Sequence, residues 1–218
     1  MNIFIDFIFS SQIMAGRKAT DVFSEWAEKG RDEGMERGHS TSVNAMLELA
    51  LPKLGANFSA IDVGCGNGWV CRKLVNQTQC TDVVGIDGSS VMISKAKAID
   101  PDGDYFHALL PEWNPGRKFD FVHSMEFLYY LENPSEMLAI FYNDWLEDGG
   151  ILIAGIDFYL ENEDSHDWPE ALDVHMTKMS IQQWKDAMIT AGFTNVEMHQ
   201  VGKKDDFIGT LAMIGCKD

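Results

Sequence analysis

"IDVGCGNGWV", residues Ile61 to Val70, ends a run of β-formers in a cluster of glycines. A strand that breaks into glycines and then starts a helix is the pattern of a nucleotide-binding βα turn. The dinucleotide fingerprint is G-x-G-x-x-G, but here Gly64, Gly66 and Gly68 are spaced G-x-G-x-G. Asp62 stands two residues before the first glycine, badly placed for a pyrophosphate and well placed for a cationic amino group. Residues without side chains let a bulky group lie against the backbone. The next β-like run, "VVGID", ends on Asp87, where an acid can accept hydrogen bonds from two ribose hydroxyls. The plainer reading of Asp87 is an acid that begins a turn and helps to cap a helix at Ser89.

Outward from this turn, strand and helix patterns alternate. Strands are predicted at Ala60–Val63, Val83–Ile86, Tyr105–His107, Phe119–Ser124 and Ile151–Ile156, with helices at Trp69–Asn76, Val91–Ile99 and Ser135–Leu146. Asn133-Pro134 suits a cap and first helical turn. Ser180 with Gln183 forms a capping box for a helix that Gly192 ends. Asn195–His199 and Ile208–Gly215 follow each other with no helix between them, so they should be antiparallel neighbours. The fold class expected is α/β: a doubly wound, mostly parallel, seven-stranded Rossmann-like sheet with a C-terminal antiparallel hairpin. Ligands should bind beyond the carboxyl ends of the strands, after Val63, Ile86, His107, Ser124 and Ile156.

Upstream, Gly30, Gly34 and Gly38 recur among charges, which predicts a short helix around Asp21–Lys29 followed by irregular chain. Ser42 is placed to cap the next helix, with Val43, Met46, Leu47, Ala50 and Leu51 on its buried face. Residues before Met14 read as an extension or loosely packed arm. Their apolar run is interrupted by Asp6 and is too short to span a bilayer, so no membrane association is expected.

The chain has 218 residues, enough for one domain, and a formal net charge of −17. Such acidity repels phosphate backbones, and no basic cluster is visible, so nucleic acid is not expected as a partner. The expected partner is a small-molecule substrate, with the chain a monomer or homodimer in the cytoplasm. The four cysteines form no CxxC pair and are expected to be reduced. No His/Cys/Asp cluster has metal-ligand spacing, so no metal is expected.

The blocks "IDVGCGNG", "VVGIDGS", "FDFVHSMEFLYYL", "LEDGGILIAG" and "AGFTNVE", in this order, resemble the class I S-adenosylmethionine-dependent methyltransferases of small-molecule type. The likeness runs from about Val43 to the C-terminus. It implies S-adenosylmethionine as cofactor and S-adenosylhomocysteine as product. It implies that Asp62, Gly64, Cys65, Gly66, Asn67 and Gly68 hold the methionine end. Asp87 would take the ribose, with Gly88, Ser89 and Met92 near the adenine and His107, Ala108 and Leu109 along its edge. Many relatives carry an Asp near His107 for the adenine amine; "YFHALLPEW" has none. Ser124 and Met125 would line the reacting centre. The likeness divides the chain into an N-terminal arm and lid, 1–41, and a single methyltransferase domain, 42–218. Trp26 and Arg31 in the lid would reach the cofactor, and His39 the substrate.

Methyl transfer from a sulfonium needs alignment and a desolvated nucleophile, and a base only when that nucleophile arrives protonated. Glu126, Tyr129 and His39 are the candidate catalytic residues. His123, inside a strand, reads as a core histidine. The acidic segment "DFYLENEDSHDWPEALD" reads as a solvated loop or a recognition element for a cation. The acceptor expected is a small molecule, with an amine favoured. O-, S- or carboxyl methylation and a non-catalytic S-adenosylmethionine or S-adenosylhomocysteine-binding protein stay open. Short-chain dehydrogenases need Tyr-x-x-x-Lys, and none of the five tyrosines has Lys four residues on.

Overall fold

The computed structural model describes residues 16–77 and 79–218; the arm expected before Met14 lies outside the described residues. The strands are β1 (Phe58–Val63), β2 (Cys80–Asp87), β3 (Asp104–His107), β4 (Phe119–Met125), β5 (Leu146–Ile156), β6 (Thr194–Val201) and β7 (Thr210–Cys216). They form one sheet in the order β3-β2-β1-β4-β5-β7-β6. The first five run parallel, and β7 lies antiparallel between β5 and β6. This is the doubly wound sheet with a terminal hairpin that the sequence predicts. The helices are α1 (Ala19–Glu28), α2 (Asp32–Ala50), α3 (Trp69–Val75), α4 (Ser90–Ile99), α5 (Pro134–Ile140), α6 (Trp168–Leu172) and α7 (Ile181–Ala191).

Alternation along β1 builds both layers of the core. Ile61 and Val63 face a cluster that holds Trp145 and Trp184, while Phe58 and Ala60 face one that holds Val43 and Met46 of α2. Burial on both faces is why the central strands read as nearly continuous apolar runs. Local signals hold where side chains satisfy helix ends. The Ser180–Gln183 capping box is formed in both directions, and Asn133 accepts the Glu136 N–H. The helix expected through Leu146 stops at Ile140 and widens into a π turn, Phe141–Trp145, that buries both of those aromatic rings.

Two expectations near the N-terminus are corrected. The chain after Gly30 is not irregular: α2 begins at Asp32 and runs unbroken through Gly34 and Gly38, across the 41/42 boundary. Each glycine costs about 1 kcal/mol in a helix. Burial of Val43, Met46, Leu47 and Ala50 outweighs this. Ser42 is not a cap but sits inside α2, buried, where it accepts a hydrogen bond from Thr210 at 2.7 Å. Among the described residues no helix is long and apolar enough to cross a membrane.

A Cβ at Gly34 or Gly38 would meet nothing within 4 Å. Gly34→Ala and Gly38→Ala are each expected to stabilise the protein by roughly 0.5–1 kcal/mol in denaturant unfolding. No gain from either would contradict a continuous α2.

Candidate active site

Strand order reverses between β1 and β4, and the loops leaving their carboxyl ends part there. On the β1 side is the glycine turn. Gly64, Gly66 and Gly68 all hold left-handed φ, at +75°, +55° and +78°, which accounts for every second residue being glycine. At Gly68 a side chain is also excluded by space: a Cβ would lie 2.5 Å from the Tyr105 ring. The turn is fastened to the neighbouring strand. Gly64 and Cys65 N–H donate to the Ile86 carbonyl, and Gly66 N–H donates to Asp87 Oδ2 at 2.9 Å. Asp87 Oδ1 accepts the Ser89 N–H at 2.7 Å, so Asp87 does begin the turn into α4 as well. Burial pushes its carboxyl above the ordinary value, against the pull of these two N–H groups. Ser89 itself is the N-cap of α4.

Asp62 is buried beneath the turn. Its Oδ1 lies 2.7 Å from His123 Nδ1, and the Cys71 thiol donates to Oδ2. His123 is fully buried, in keeping with a core role.

A small cavity of about 50 Å³ opens at the turn, lined by Asp32, Met35, His39, Asp62, Asn67 and Glu126 among others. Asn67 Oδ1 is buried there without a hydrogen-bond partner. The adjoining cavity, about 690 Å³, carries Asp87, Gly88, Met92, Ala108 and Leu109 along one side, and Phe23, Tyr130, Leu131, Val174 and His175 on another. The two cavities share Met35, Gly64, Gly66, Met92, Met125 and Glu126.

Helix α2 brings residues to both. At its start Asp32 is buried, accepting from Asn67 Nδ2 at 2.9 Å and from Lys95 Nζ at 2.6 Å. Burial opposes this charge, but the two hydrogen bonds outweigh it and hold the carboxyl below its ordinary value. Two helical turns on, His39 Nδ1 lies 2.9 Å from the Met35 carbonyl, and its Nε2 lies 3.6 Å from Asp157 Oδ2.

Glu126, just past β4, is the centre of this group. Its φ is +56°, an uncommon conformation for a residue with a side chain. The Asp157 N–H donates to Glu126 Oε1 at 2.6 Å, and the Tyr129 hydroxyl donates to Oε2 at 2.6 Å. The Tyr130 hydroxyl lies 3.2 Å behind Tyr129. Burial and the neighbouring Asp157 charge push Glu126 up to about 8. Burial disfavours the His39 imidazolium, but Asp157 and Glu126 outweigh it and raise His39 to about 9. His39, Glu126 and Asp157 each offer a ligand atom within 4.8 Å of the others, spacing that a cation could occupy. Within this group the His39 imidazole faces the Asp157 carboxylate.

The structure brings together Asp62, Gly64, Cys65, Gly66, Asn67, Asp87, Gly88, Met92, Ala108, Leu109, Met125, Glu126 and His39 around the two cavities. It places other candidates elsewhere. Trp26 packs edge-on against Phe23. Arg31 is exposed at the start of α2. His107 turns to the Gly88 carbonyl, and Ser124 is buried on the Val63 carbonyl. Tyr129 is 1% exposed and touches the cavity only through Glu126 and Tyr130. Asp32 and Asp157 were not foreseen. Asp157 had a signal, since it directly follows Ile156 at the carboxyl end of a predicted strand. Asp32 had none, because the chain around it read as irregular.

A family model described as a methyltransferase domain matches residues 33–198. The tRNA U34 carboxymethyltransferase of Histophilus somni (strain 2336) is 31% identical over 114 residues, 49% of this chain and 35% of that protein. The trans-aconitate 2-methyltransferase of Rhizobium rhizogenes is 31% identical over 93 residues, 43% of this chain and 36% of that protein. The chain thus spans about a third of the length of these curated relatives. Among solved structures, the partner of the Haloferax volcanii Trm112 methyltransferase activator in their complex superposes with a TM-score of 0.78. It is 26% identical, with 92% of this chain and 98% of that chain covered. These findings overturn the expectation of a small-molecule site with no nucleic acid and no partner beyond a second copy. One relative is a tRNA enzyme, and one structural neighbour is bound to a protein activator. The reason is physical: net charge is a sum, and it fixes neither where charges sit nor what a second chain supplies.

Removing the Asp32 carboxylate would strand Lys95 and Asn67 beside the glycine turn. Asp32→Ala is expected to cost about 1–3 kcal/mol of unfolding free energy. A change within about 0.5 kcal/mol of wild type would show that the latch contributes nothing.

Proposed function

The chain belongs to the class I S-adenosylmethionine-dependent methyltransferase family, and from that premise we propose that it methylates the nitrogen of an amine acceptor that enters the larger cavity. One observation carries the reading: at the junction of the two cavities the chain presents a half-buried glutamate, Glu126, held by the Asp157 N–H and the Tyr129 hydroxyl and pushed up to about 8. An acid–base group works best when its pKa is close to the working pH.

The residues suit the cofactor. The adenosyl group fits along Asp87, Gly88, Ala108 and Leu109, and Asp87 keeps lone pairs on both oxygens for ribose hydroxyls. The cationic amino group fits the small cavity, where the orphan Asn67 Oδ1 lacks a donor and Asp32 and Asp62 supply negative charge. When bound, S-adenosylmethionine supplies an electrophilic methyl group on a sulfonium.

The remaining chemistry falls to the chain. Phe23, Tyr130 and Leu131 give the acceptor apolar walls that exclude water. Glu126 faces the incoming nitrogen and takes its proton. His39, on the lid helix, offsets the charge that remains. A carboxylate pair favours an acceptor that arrives as a cation, which an ammonium does and a neutral phenol or an anionic carboxylate does not. The acceptors of the curated relatives, a tRNA uridine and trans-aconitate, differ from each other, so the domain fold does not fix the acceptor.

Two outcomes are expected. Asp87→Ala should weaken S-adenosylhomocysteine binding at least tenfold by calorimetry, and unchanged affinity would remove Asp87 from the cofactor site. Glu126→Gln should lower kcat with an amine acceptor by roughly 100-fold or more while cofactor affinity is kept. Below about pH 8 Glu126 carries its proton and cannot take another, so wild-type kcat/KM should rise with pH through about 8. A profile flat from pH 6 to 9 would contradict the role given to Glu126.

A further inference from the structure

We infer that Asp157 is the positioning residue of the acceptor site: its backbone N–H fixes the pose of Glu126, and its carboxylate, within 4.8 Å of that of Glu126, governs how readily Glu126 exchanges a proton. This rests on Glu126 as the acceptor-facing group. The two contacts are of different kinds. The Asp157 N–H holds Glu126 Oε1 at 2.6 Å, a bond that any side chain at this position would leave in place. The carboxylate acts separately. Asp157 is 7% exposed, and its Oδ1 is buried with no hydrogen-bond partner. A buried carboxylate oxygen without a donor is costly to keep, and a packed apolar residue would avoid that cost.

The neighbours explain what this arrangement does. Two carboxylates in one desolvated site cannot both ionise freely, so they hold a proton between them. The charged and titratable groups facing Glu126 are His39 from α2, Tyr129 and Tyr130 from its own loop, and Asp157 from the end of β5. His39 is the only cation among them, and its Nε2 faces Asp157 at 3.6 Å. Asp157 and His39 therefore act on Glu126 in opposite directions, the first raising its proton affinity and the second lowering it. The charge of the group therefore changes by one as Glu126 takes or gives up its proton beside the His39 imidazole.

In the reaction, the ammonium N–H bond breaks and its proton passes to the Glu126 carboxylate. The freed nitrogen lone pair forms the N–C bond as the C–S bond breaks, and that electron pair stays on sulfur. Glu126 then releases the proton to solvent, with Asp157 setting the pH at which it does so.

The test is the pH dependence of two variants alongside wild type, with S-adenosylhomocysteine affinity measured in each. Asp157→Asn keeps the shape and the backbone N–H but removes the charge, and should move the acid limb of kcat/KM to lower pH by at least one pH unit. His39→Gln removes the cation and should move it to higher pH. Loss of activity at all pH values with the limb unmoved in both would reduce Asp157 to a structural residue and overturn the inference. Carbon-13 NMR titration of the Glu126 carboxyl in wild type needs neither variant to fold and no acceptor. Its midpoint is expected near 8. A midpoint near the ordinary value of about 4.3 would overturn the inference. Activity lost on EDTA treatment and restored by Mn²⁺ would also overturn it, since the three side chains would then serve a cation. If no amine is methylated by wild type, the acceptor assignment fails, while the Glu126 titration compared between wild type and Asp157→Asn still decides the role of Asp157: a midpoint lowered in the variant supports it, and an unmoved midpoint overturns it.

Discussion

The two cavities of this protein depend on one topological constraint, the reversal of strand order between β1 and β4. Parallel strands must be joined by crossovers, and crossovers that wind in opposite directions from two neighbouring strands leave their first loops apart. Here one loop is the glycine turn and the other carries Glu126. Hydrogen bonds from Ser59 to Asp120 and from Ser124 to the Val63 carbonyl stitch the two strands together below the opening. The crevice is thus a rigid consequence of the sheet, and its two lips differ chemically. The β1 lip offers backbone, Asp62 and Asn67. The β4 lip offers a half-buried carboxylate, Glu126, held by two donors.

Helix α2 closes the crevice and ties its lips to each other. Asp32 at its start is bonded to Asn67 of the glycine turn and to Lys95 of α4, and His39 further along meets the Glu126–Asp157 pair. The same helix buries Val43, Met46 and Leu47 against the sheet, so Asp32 and His39 are carried on one packed element. Helix α1 adds a second tie, with Ser24 and Ser89 hydroxyls 2.7 Å apart at the cap of α4. Helix α2 is thus not an accessory to the sheet: it carries His39, the imidazole that faces the Glu126–Asp157 pair.

Much of this was legible in the sequence. The sheet was readable because its central strands are buried on both faces and its turns need glycine at positive φ. Asp62, Asp87 and Glu126 could be named as candidates because each stands at or beside the carboxyl end of a strand. What could not be read depends on contacts between distant residues. Gly34 and Gly38 argue against a helix locally, and only the burial of the residues beyond them and the bonds of Asp32 reverse that. Ser42 has the composition of a cap, yet its hydroxyl is claimed by Thr210 from the far end of the chain. Tyr129, expected as a catalytic candidate, meets Glu126 from the core, since one residue of the Tyr129-Tyr130 pair turns inward. The inference from net charge to partners failed for the reason that applies to any sum: it carries no information about place.

The central claim is that the β4 lip receives an amine while the β1 lip holds the methyl donor. The most direct measurement incubates the protein with methyl-labelled S-adenosylmethionine and a mixed panel of amines, phenols, thiols and carboxylic acids, and locates the label by mass spectrometry. Label on nitrogen, with S-adenosylhomocysteine formed in equal amount, is the expected result. Label confined to oxygen, sulfur or carboxyl acceptors, or cofactor bound with no acceptor labelled, would contradict it.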